Sequence, residues 1–151
     1  MALAIDILAG GRAKSAPETV LATSYLDRAR DAGRALGFAS FALTEFDERK
    51  PEKIIEASNA TPLVVALDER GKSLSSEAFA KQLVRWRDDG ETRALFLIGG
   101  PDGLPAETKR EARLMLSFGA QTWPHLLVRA MLAEQLYRAV TILAGHPYHR
   151  P

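Results

Sequence analysis

The chain has 151 residues, of which 46% are apolar and 26% charged, and its formal net charge is +1. This composition is typical of one folded soluble domain, which we expect to span residues 1–151. Cysteine is absent, which excludes disulfides, thiolate zinc sites and cysteine nucleophiles. We find no signal peptide and no run of the ~20 apolar residues that a membrane helix needs. We therefore expect a cytoplasmic protein with no membrane partner, and the weak charge does not by itself indicate nucleic-acid binding.

Strands alternate with helices along the chain. The pattern predicts strands over residues 3–8, 38–46, 63–67, 94–98 and 114–117, and helices over residues 17–36, 51–57, 75–87, 105–113 and 124–143. The third and fourth strands are apolar throughout, as in parallel strands that are covered on both faces. The sequence thus predicts an α/β fold with a mainly parallel sheet and helices on both faces.

Three predicted loops follow strand ends, where open α/β sheets bind ligands. They come after Leu67, Ile98 and Ser117. The loop after Ile98 has glycine at positions 99, 100 and 103, and glycine lets a backbone approach a ligand closely. The spacing is neither the dinucleotide fingerprint nor a phosphate loop, so a plain turn is the alternative.

The loop from Ser117 to Trp123 is polar but carries two aromatic residues. Its backbone could meet a purine edge while a ring covers the purine face. The alternative is that Phe118 and Trp123 only fill the core.

The last predicted helix is apolar around most of its circumference, which indicates burial on most sides and, in so small a chain, a subunit interface. Glu134 and Arg138 form an i,i+4 pair, and a solvated salt bridge is the simple interpretation. Arg129 faces the same side as Leu136 and Val140. A buried arginine needs a partner, and we expect a carboxylate across an interface or a ligand group.

The C-terminal tail combines Tyr148, His149 and Arg150. A tyrosine can stack on a base, and histidine and arginine can meet phosphate. The alternative is a frayed terminus. No two histidines have the i,i+4 spacing of a helical zinc site, so we predict no metal.

Several of these segments together resemble the ribosomal RNA large subunit methyltransferase H family of the SPOUT class. The matching segments are Leu67–Asp68, Gly71–Lys72, Phe96–Gly100, Gly103–Leu104, Thr122, Pro124–His125, Val128–Arg129, Glu134–Ala139 and His146–Arg150. The resemblance spans nearly the whole chain and is most specific in the C-terminal half.

The resemblance implies a homodimer with a C-terminal trefoil knot that binds S-adenosyl-L-methionine. It also implies methylation of N3 of a pseudouridine in helix 69 of 23S rRNA, on assembled ribosomes. By position, the cofactor would be held by Leu67, Gly99, Phe118, Gly119, Ala120, Gln121, Thr122 and Trp123. The family's usual run is closer to Ser-Leu-Ser-x-Met-Thr than to the sequence of residues 117–122, a difference that recognition by backbone groups tolerates.

Methyl transfer to N3 requires that its proton leave, by means of a base or of a cation that favours the deprotonated form. The candidates for this side of the reaction are His125, Arg138, Tyr148, His149 and Arg150. We expect Tyr148 to stack on or orient the base and Arg150 to bind phosphate, while the proton acceptor stays open. The alternatives are a SPOUT enzyme acting on transfer RNA, a dinucleotide-binding enzyme, or a ribosome-associated factor without activity.

Overall fold

The computed structural model describes residues 2–50 and 62–151, and one five-stranded sheet lies within them. The strands are β1 (Leu3–Gly10), β2 (Phe38–Phe46), β3 (Leu63–Ser73), β4 (Arg93–Ile98) and β5 (Leu114–Ser117). The helices are α1 (Pro17–Gly33), α2 (Ser76–Asp88), α3 (Ala106–Glu111) and α4 (His125–Ala144). The helix predicted over residues 51–57 lies outside the described residues.

The sheet has the order β2-β1-β4-β3-β5, and every neighbouring pair is parallel. At its centre, β4 sends Ala94, Phe96 and Ile98 into a large core and Leu95 and Leu97 into a smaller one, because successive residues of a strand point to opposite faces. The predicted parallel α/β sheet is confirmed.

The two faces of the sheet are covered unequally. α1, α2 and α4 pack on one face and enclose the large core. The smaller core on the other face includes Leu104 and Ala112, which flank the short helix α3. α1 and α4 run in the same direction, since Thr19 contacts Arg129 and Tyr25 contacts Tyr137.

The largest differences from the predicted element boundaries are at β3 and α1. β3 extends to Ser73, because Leu67 and Lys72 both lie opposite Leu116 and the four residues between them bulge out of the ladder. The pairing with β5 that resumes after the bulge is not visible in the local pattern. α1 ends at Gly33, and a 3-10 turn completes the predicted helix.

One side of α4 is buried within a single chain. Leu132, Leu136 and Val140 have no exposed surface, because α4 packs against α1, α2 and the sheet. The other large aliphatic side chains of α4 keep part of their surface accessible, and Leu127 is 37% exposed. In residues 2–50 and 62–151, no helix is long and apolar enough to cross a membrane.

Arg129 has its ion partner inside the chain, so the expectation of a partner across an interface or on a ligand is wrong. One guanidinium nitrogen donates to the Glu45 carboxylate at 2.8 Å and to the Thr19 hydroxyl at 3.1 Å. The other donates to the Gly10 carbonyl at 3.1 Å. The side chain is fully buried, and it ties the start of α4 to the ends of β1 and β2.

Glu45 keeps its charge despite this enclosure. Burial raises the pKa of Glu45, but hydrogen bonds from Arg129 and the Ala13 amide, with the charges of Arg129 and Lys14, outweigh it and leave the pKa below 4.5. The buried arginine is therefore neutralised by a true ion pair near neutral pH.

Candidate active site

The carboxyl ends of β3, β4 and β5 converge on a cleft of about 670 Å³. Its walls are the bulge that follows Leu67, the glycine loop after Ile98 and the loop that leads from β5 into α4. Every predicted cofactor residue except Ala120 lines this cleft, and so does His125. The three loops that the sequence placed at strand ends thus meet in one site.

The glycine loop brings backbone to the surface of the cleft. A Cβ atom on Gly99 would lie 2.7 Å from the Gly103 Cα, which no real side chain tolerates. Gly100 and Gly103 form an isolated antiparallel bridge that folds the loop back on itself. This loop is therefore more than a plain turn, since close backbone packing shapes the wall of the cleft.

The loop between β5 and α4 is braced against the β3 bulge. The Ser117 hydroxyl lies 3.1 Å from the Glu69 carbonyl and accepts from the Gly119 amide at 3.0 Å. The Thr122 hydroxyl donates to the Glu69 carboxylate at 2.6 Å. Gly119 has a φ of +115°, which favours glycine. These bonds fix the path of the loop from both sides.

The two aromatic residues of this loop do not simply fill the core. Trp123 is 38% exposed, and its indole N–H donates to the Phe118 carbonyl at 3.3 Å. Phe118 packs against the large core and also lines the cleft. Both rings are thus available to a ligand in the cleft.

A carboxylate lies in the wall of the cleft. Burial raises the pKa of Asp68, but hydrogen bonds from the Arg70 amide and Lys109 outweigh it and lower the pKa below 3.8. Lys109 Nζ lies 3.1 Å from the Asp68 carboxylate. Asp68 is therefore an anion near neutral pH and can accept hydrogen bonds from hydroxyl or amino groups of a ligand.

The C-terminal tail folds back onto α1 and α4. The Tyr148 ring centre lies 4.7 Å from that of Tyr137 in an edge contact. The Arg28 guanidinium lies 4.4 Å from the Tyr137 ring centre, and that of Arg138 lies 4.9 Å from the Tyr148 ring centre. The Tyr148 hydroxyl lies 3.4 Å from the Glu134 carboxylate. The tail is therefore packed rather than frayed.

His149 adds charged contacts to this packing. Its Nε2 lies 2.8 Å from the Glu77 carboxylate, and its Nδ1 lies 3.2 Å from Arg138 Nη1. Arg138 Nε donates to the Glu134 carboxylate at 2.7 Å, so this pair belongs to a network instead of standing alone in solvent. We call the whole group the tail cluster, which consists of Arg28, Glu77, Glu134, Tyr137, Arg138, Tyr148 and His149.

Tyr148 is not a base at neutral pH. Burial, a hydrogen bond with Tyr25 and the charge of Glu134 raise the pKa of Tyr148 to about 12. Its hydroxyl stays protonated and can only donate or accept a hydrogen bond. Tyr148 therefore does not fit the role of the proton acceptor that the predicted reaction requires.

The five predicted substrate-side residues form two groups in one chain. His125 lines the cleft at the start of α4, whereas Arg138, Tyr148 and His149 meet in the tail cluster, and Arg150 is exposed beyond it. At 1.5 Å per residue, about 20 Å of helix axis separate His125 from Arg138.

The sequence prediction missed the supporting residues. Glu69, Glu77, Arg28 and Tyr137 brace the two groups, yet no local sequence pattern assigns them to a site. Their role depends on contacts between segments that are distant in the chain. Among residues 2–50 and 62–151, no three metal-ligating side chains cluster together.

A family model described as "Predicted SPOUT methyltransferase" matches residues 3–149. The chain belongs to the SPOUT methyltransferase family. Within it, relatives from Bradyrhizobium diazoefficiens, Nitrobacter winogradskyi and Phenylobacterium zucineum are each named ribosomal RNA large subunit methyltransferase H. They are 48%, 50% and 51% identical to this chain, and the matches cover 97%, 95% and 97% of it and 98%, 97% and 98% of the relatives. The resemblance drawn from the sequence is confirmed.

Solved structures of the same fold include two bacterial proteins. A probable methylase family protein from Haemophilus influenzae matches with a TM-score of 0.54 and 12% identity, over 99% of this chain and 70% of that one. A probable methyltransferase from Bordetella pertussis matches with a TM-score of 0.51 and 15% identity, over 91% and 93%. At such identities the likeness establishes the SPOUT fold alone.

Proposed function

We propose that this protein transfers a methyl group from S-adenosyl-L-methionine to N3 of a pseudouridine in helix 69 of 23S rRNA, on assembled ribosomes in the cytoplasm. One observation carries the proposal. In a chain that matches rRNA large subunit methyltransferases H over nearly its full length, the predicted cofactor residues other than Ala120 line one cleft at the carboxyl edge of the sheet.

The cleft fits the cofactor. Its volume of about 670 Å³ lies within the range of small-molecule sites. Gly99 and Gly119 present backbone to the ligand, and Asp68 offers a charged acceptor for hydroxyl or amino groups. When bound, the cofactor supplies an electrophilic methyl group on a sulfonium centre. Phe118 and Trp123 would shield that centre from water.

The tail cluster fits the nucleic-acid side of the reaction. Tyr148 remains protonated and would orient the target base by stacking, while Arg138 and Arg150 would bind phosphate or favour the base that has lost its N3 proton. His149 and His125 are the candidate proton acceptors. His125 lies in the cleft itself, next to the site of methyl transfer.

We propose further that a homodimer unites the two groups. A single chain leaves about 20 Å of α4 between them, so the tail cluster of one subunit would face the cleft of its partner. The exposed large apolar residues of the described chain support this arrangement, because Val20, Leu21, Trp123 and Leu127 lie at the starts of α1 and α4, on the edge that holds the cleft. In this proposal residues 1–151 form one SPOUT domain with a C-terminal trefoil knot.

The test is transfer of labelled methyl from S-adenosyl-L-methionine to ribosomes that lack the modification, with free 23S rRNA and bulk transfer RNA alongside. We expect label on ribosomes that maps to N3 of a pseudouridine. Label on transfer RNA alone would leave the fold and cofactor in place and contradict the target. Absence of both label and calorimetric cofactor binding would identify a ribosome-associated factor without activity.

A further inference from the structure

Glu77 is the one carboxylate of the tail cluster that contacts His149. It lies in the first turn of α2 and is 72 positions from His149 in sequence. Its side chain is 47% exposed, whereas that of His149 is 14% exposed. The hydrogen bond with His149 lowers the pKa of Glu77. A charged carboxylate therefore faces one nitrogen of a mostly enclosed imidazole.

The two neighbours of the ring select one tautomer. Arg138 has only donors, so its Nη1 at 3.2 Å requires Nδ1 to be an acceptor. A charged Glu77 has only acceptors, so its Oε1 at 2.8 Å requires a proton on Nε2. The neutral ring with hydrogen on Nε2 satisfies both contacts, while the other tautomer satisfies neither.

We propose that Glu77 is a positioning residue that holds His149 as its Nε2–H tautomer and thereby makes Nδ1 the atom that accepts the N3 proton of the target base. This inference rests on the proposed methyl transfer. In serine proteases, a carboxylate likewise bonds one nitrogen of an imidazole and so leaves the other nitrogen to accept a proton.

The proton and electron balance is simple. The N3–H proton moves to Nδ1. The electron pair that this leaves on N3 forms a bond to the methyl carbon. The bond between the methyl carbon and sulfur breaks, and its electron pair stays on sulfur. The imidazolium then faces Glu77 and later gives its proton to water. For this step Arg138 Nη1 must leave Nδ1, while Arg138 Nε keeps its 2.7 Å hydrogen bond to Glu134. An RNA phosphate would then accept from Arg138 Nη1.

The test compares Glu77→Ala with Glu77→Gln in the full-length protein. The first readout is the long-range ¹H–¹⁵N NMR correlation pattern of the His149 ring, assigned with a His149→Gln variant. The second is the single-turnover rate of methyl transfer to unmodified ribosomes at saturating S-adenosyl-L-methionine. Glu18→Ala is the matched control, because Glu18 occupies the first turn of α1 as Glu77 does that of α2.

Because Arg138 still favours the Nε2–H tautomer, we expect Glu77→Ala to raise the fraction of the Nδ1–H tautomer without making it the main form, and to lower the rate by roughly tenfold or more. Glu77→Gln should keep the Nε2–H tautomer and most of the rate, since its side-chain carbonyl still accepts from Nε2–H. The control should change neither readout.

Two results would overturn the inference. One is an unchanged Nδ1–H fraction in Glu77→Ala, and the other is a raised Nδ1–H fraction with an unchanged rate. A wild-type protein that methylates no RNA would instead refute the proposed function and the proton transfer to His149, while the NMR contrast would still decide whether Glu77 positions the ring.

Discussion

The cleft and the tail cluster are built from different parts of the polypeptide. The cleft takes its shape from backbone, with Gly99 packed against Gly103 and the loop after β5 braced on the β3 bulge. The tail cluster is made of side chains. For example, Arg138 Nε donates to the Glu134 carboxylate at 2.7 Å, and the Arg138 guanidinium lies 4.9 Å from the Tyr148 ring centre.

This difference predicts how each region tolerates substitution. A wall made of backbone keeps its shape when many side chains change, which fits the departure of residues 117–122 from the usual family pattern. A cluster of interlocking side chains loses a partner with almost any replacement. Substitutions in the cleft should therefore matter where they move backbone, and those in the tail cluster where they remove a functional group.

Arg129→Met should have the largest effect and should damage both regions, because Arg129 anchors the helix that they share. The change leaves Glu45 buried without its partner, and we expect the free energy of unfolding to fall by about 3–5 kcal/mol. Urea denaturation measures this. The matched double variant Arg129→Met with Glu45→Gln should lose less, since no charge is then left buried. A loss below about 1 kcal/mol in the single variant would contradict the role of the pair.

Gly99→Val should damage the cleft alone. The new side chain collides with the backbone at Gly103, and a misplacement of about 1 Å can cost ~100-fold in reaction rate. We expect the rate of methyl transfer to fall by roughly that factor, and the affinity for S-adenosyl-L-methionine, measured by calorimetry, to fall as well. Ala120→Val is the control, because Ala120 belongs to the same predicted set but does not line the cleft. Equal losses of cofactor affinity in Gly99→Val and Ala120→Val would show that backbone packing at Gly99 does not determine the shape of the cleft.

Tyr148→Ala should damage the tail cluster alone. Loss of a stacking ring costs about 1–3 kcal/mol, so we expect methyl transfer to slow by roughly tenfold or more while cofactor affinity changes little. Tyr148→Phe should retain most of the rate, because a hydroxyl with a pKa of about 12 takes no part in proton transfer at neutral pH. A phenylalanine variant as slow as the alanine variant would assign the role to the hydroxyl instead.

Acid should weaken the buried ion pair between Glu45 and Arg129. The pKa of Glu45 is lowered in the folded chain, so its contribution to stability is present above about pH 4.5 and is lost as pH falls through the lower folded value. The stability advantage of wild type over Glu45→Gln, followed by urea denaturation from pH 7 to pH 3, should shrink in that range. A constant advantage would show that another group controls the acid response.

Thr122→Val should have the smallest effect. It removes one exposed hydrogen bond, from Thr122 to Glu69, which is worth about 0.5–1.5 kcal/mol. We expect cofactor affinity, measured by the same calorimetry, to fall by a few fold, and Thr122→Ser to restore it. A loss as large as that of Gly99→Val would mean that side chains shape the cleft after all.

Much of the fold was predictable because its signals are local. The apolar run over Ala94–Ile98 indicates a strand buried on both faces, and Ser75 indicates a helix start, which its hydroxyl confirms by capping Ala78. Gly99 and Gly103 likewise marked a loop at a strand end. These features depend on neighbouring residues, which a sequence displays directly.

The partners of buried and clustered groups were not predictable in the same way. Glu45 lies 84 positions from Arg129, and Glu77 lies 72 positions from His149. Such pairs are set by the order of strands in the sheet and by the direction of helix packing. An arginine on an apolar face shows that a partner exists but not which residue it is.

Ser117 and Thr122 make hydrogen bonds with Glu69, about fifty positions earlier in the chain. These bonds hold the end of β5, the last strand in the sequence and an edge strand of the sheet, against β3. Without β5 in place, the cleft lacks one of its three walls, so a partly folded chain holds no complete binding pocket. A ligand that needs all three walls binds only the finished fold and adds its binding free energy to the stability of that fold. Occupancy of this site is therefore also a reporter of complete folding.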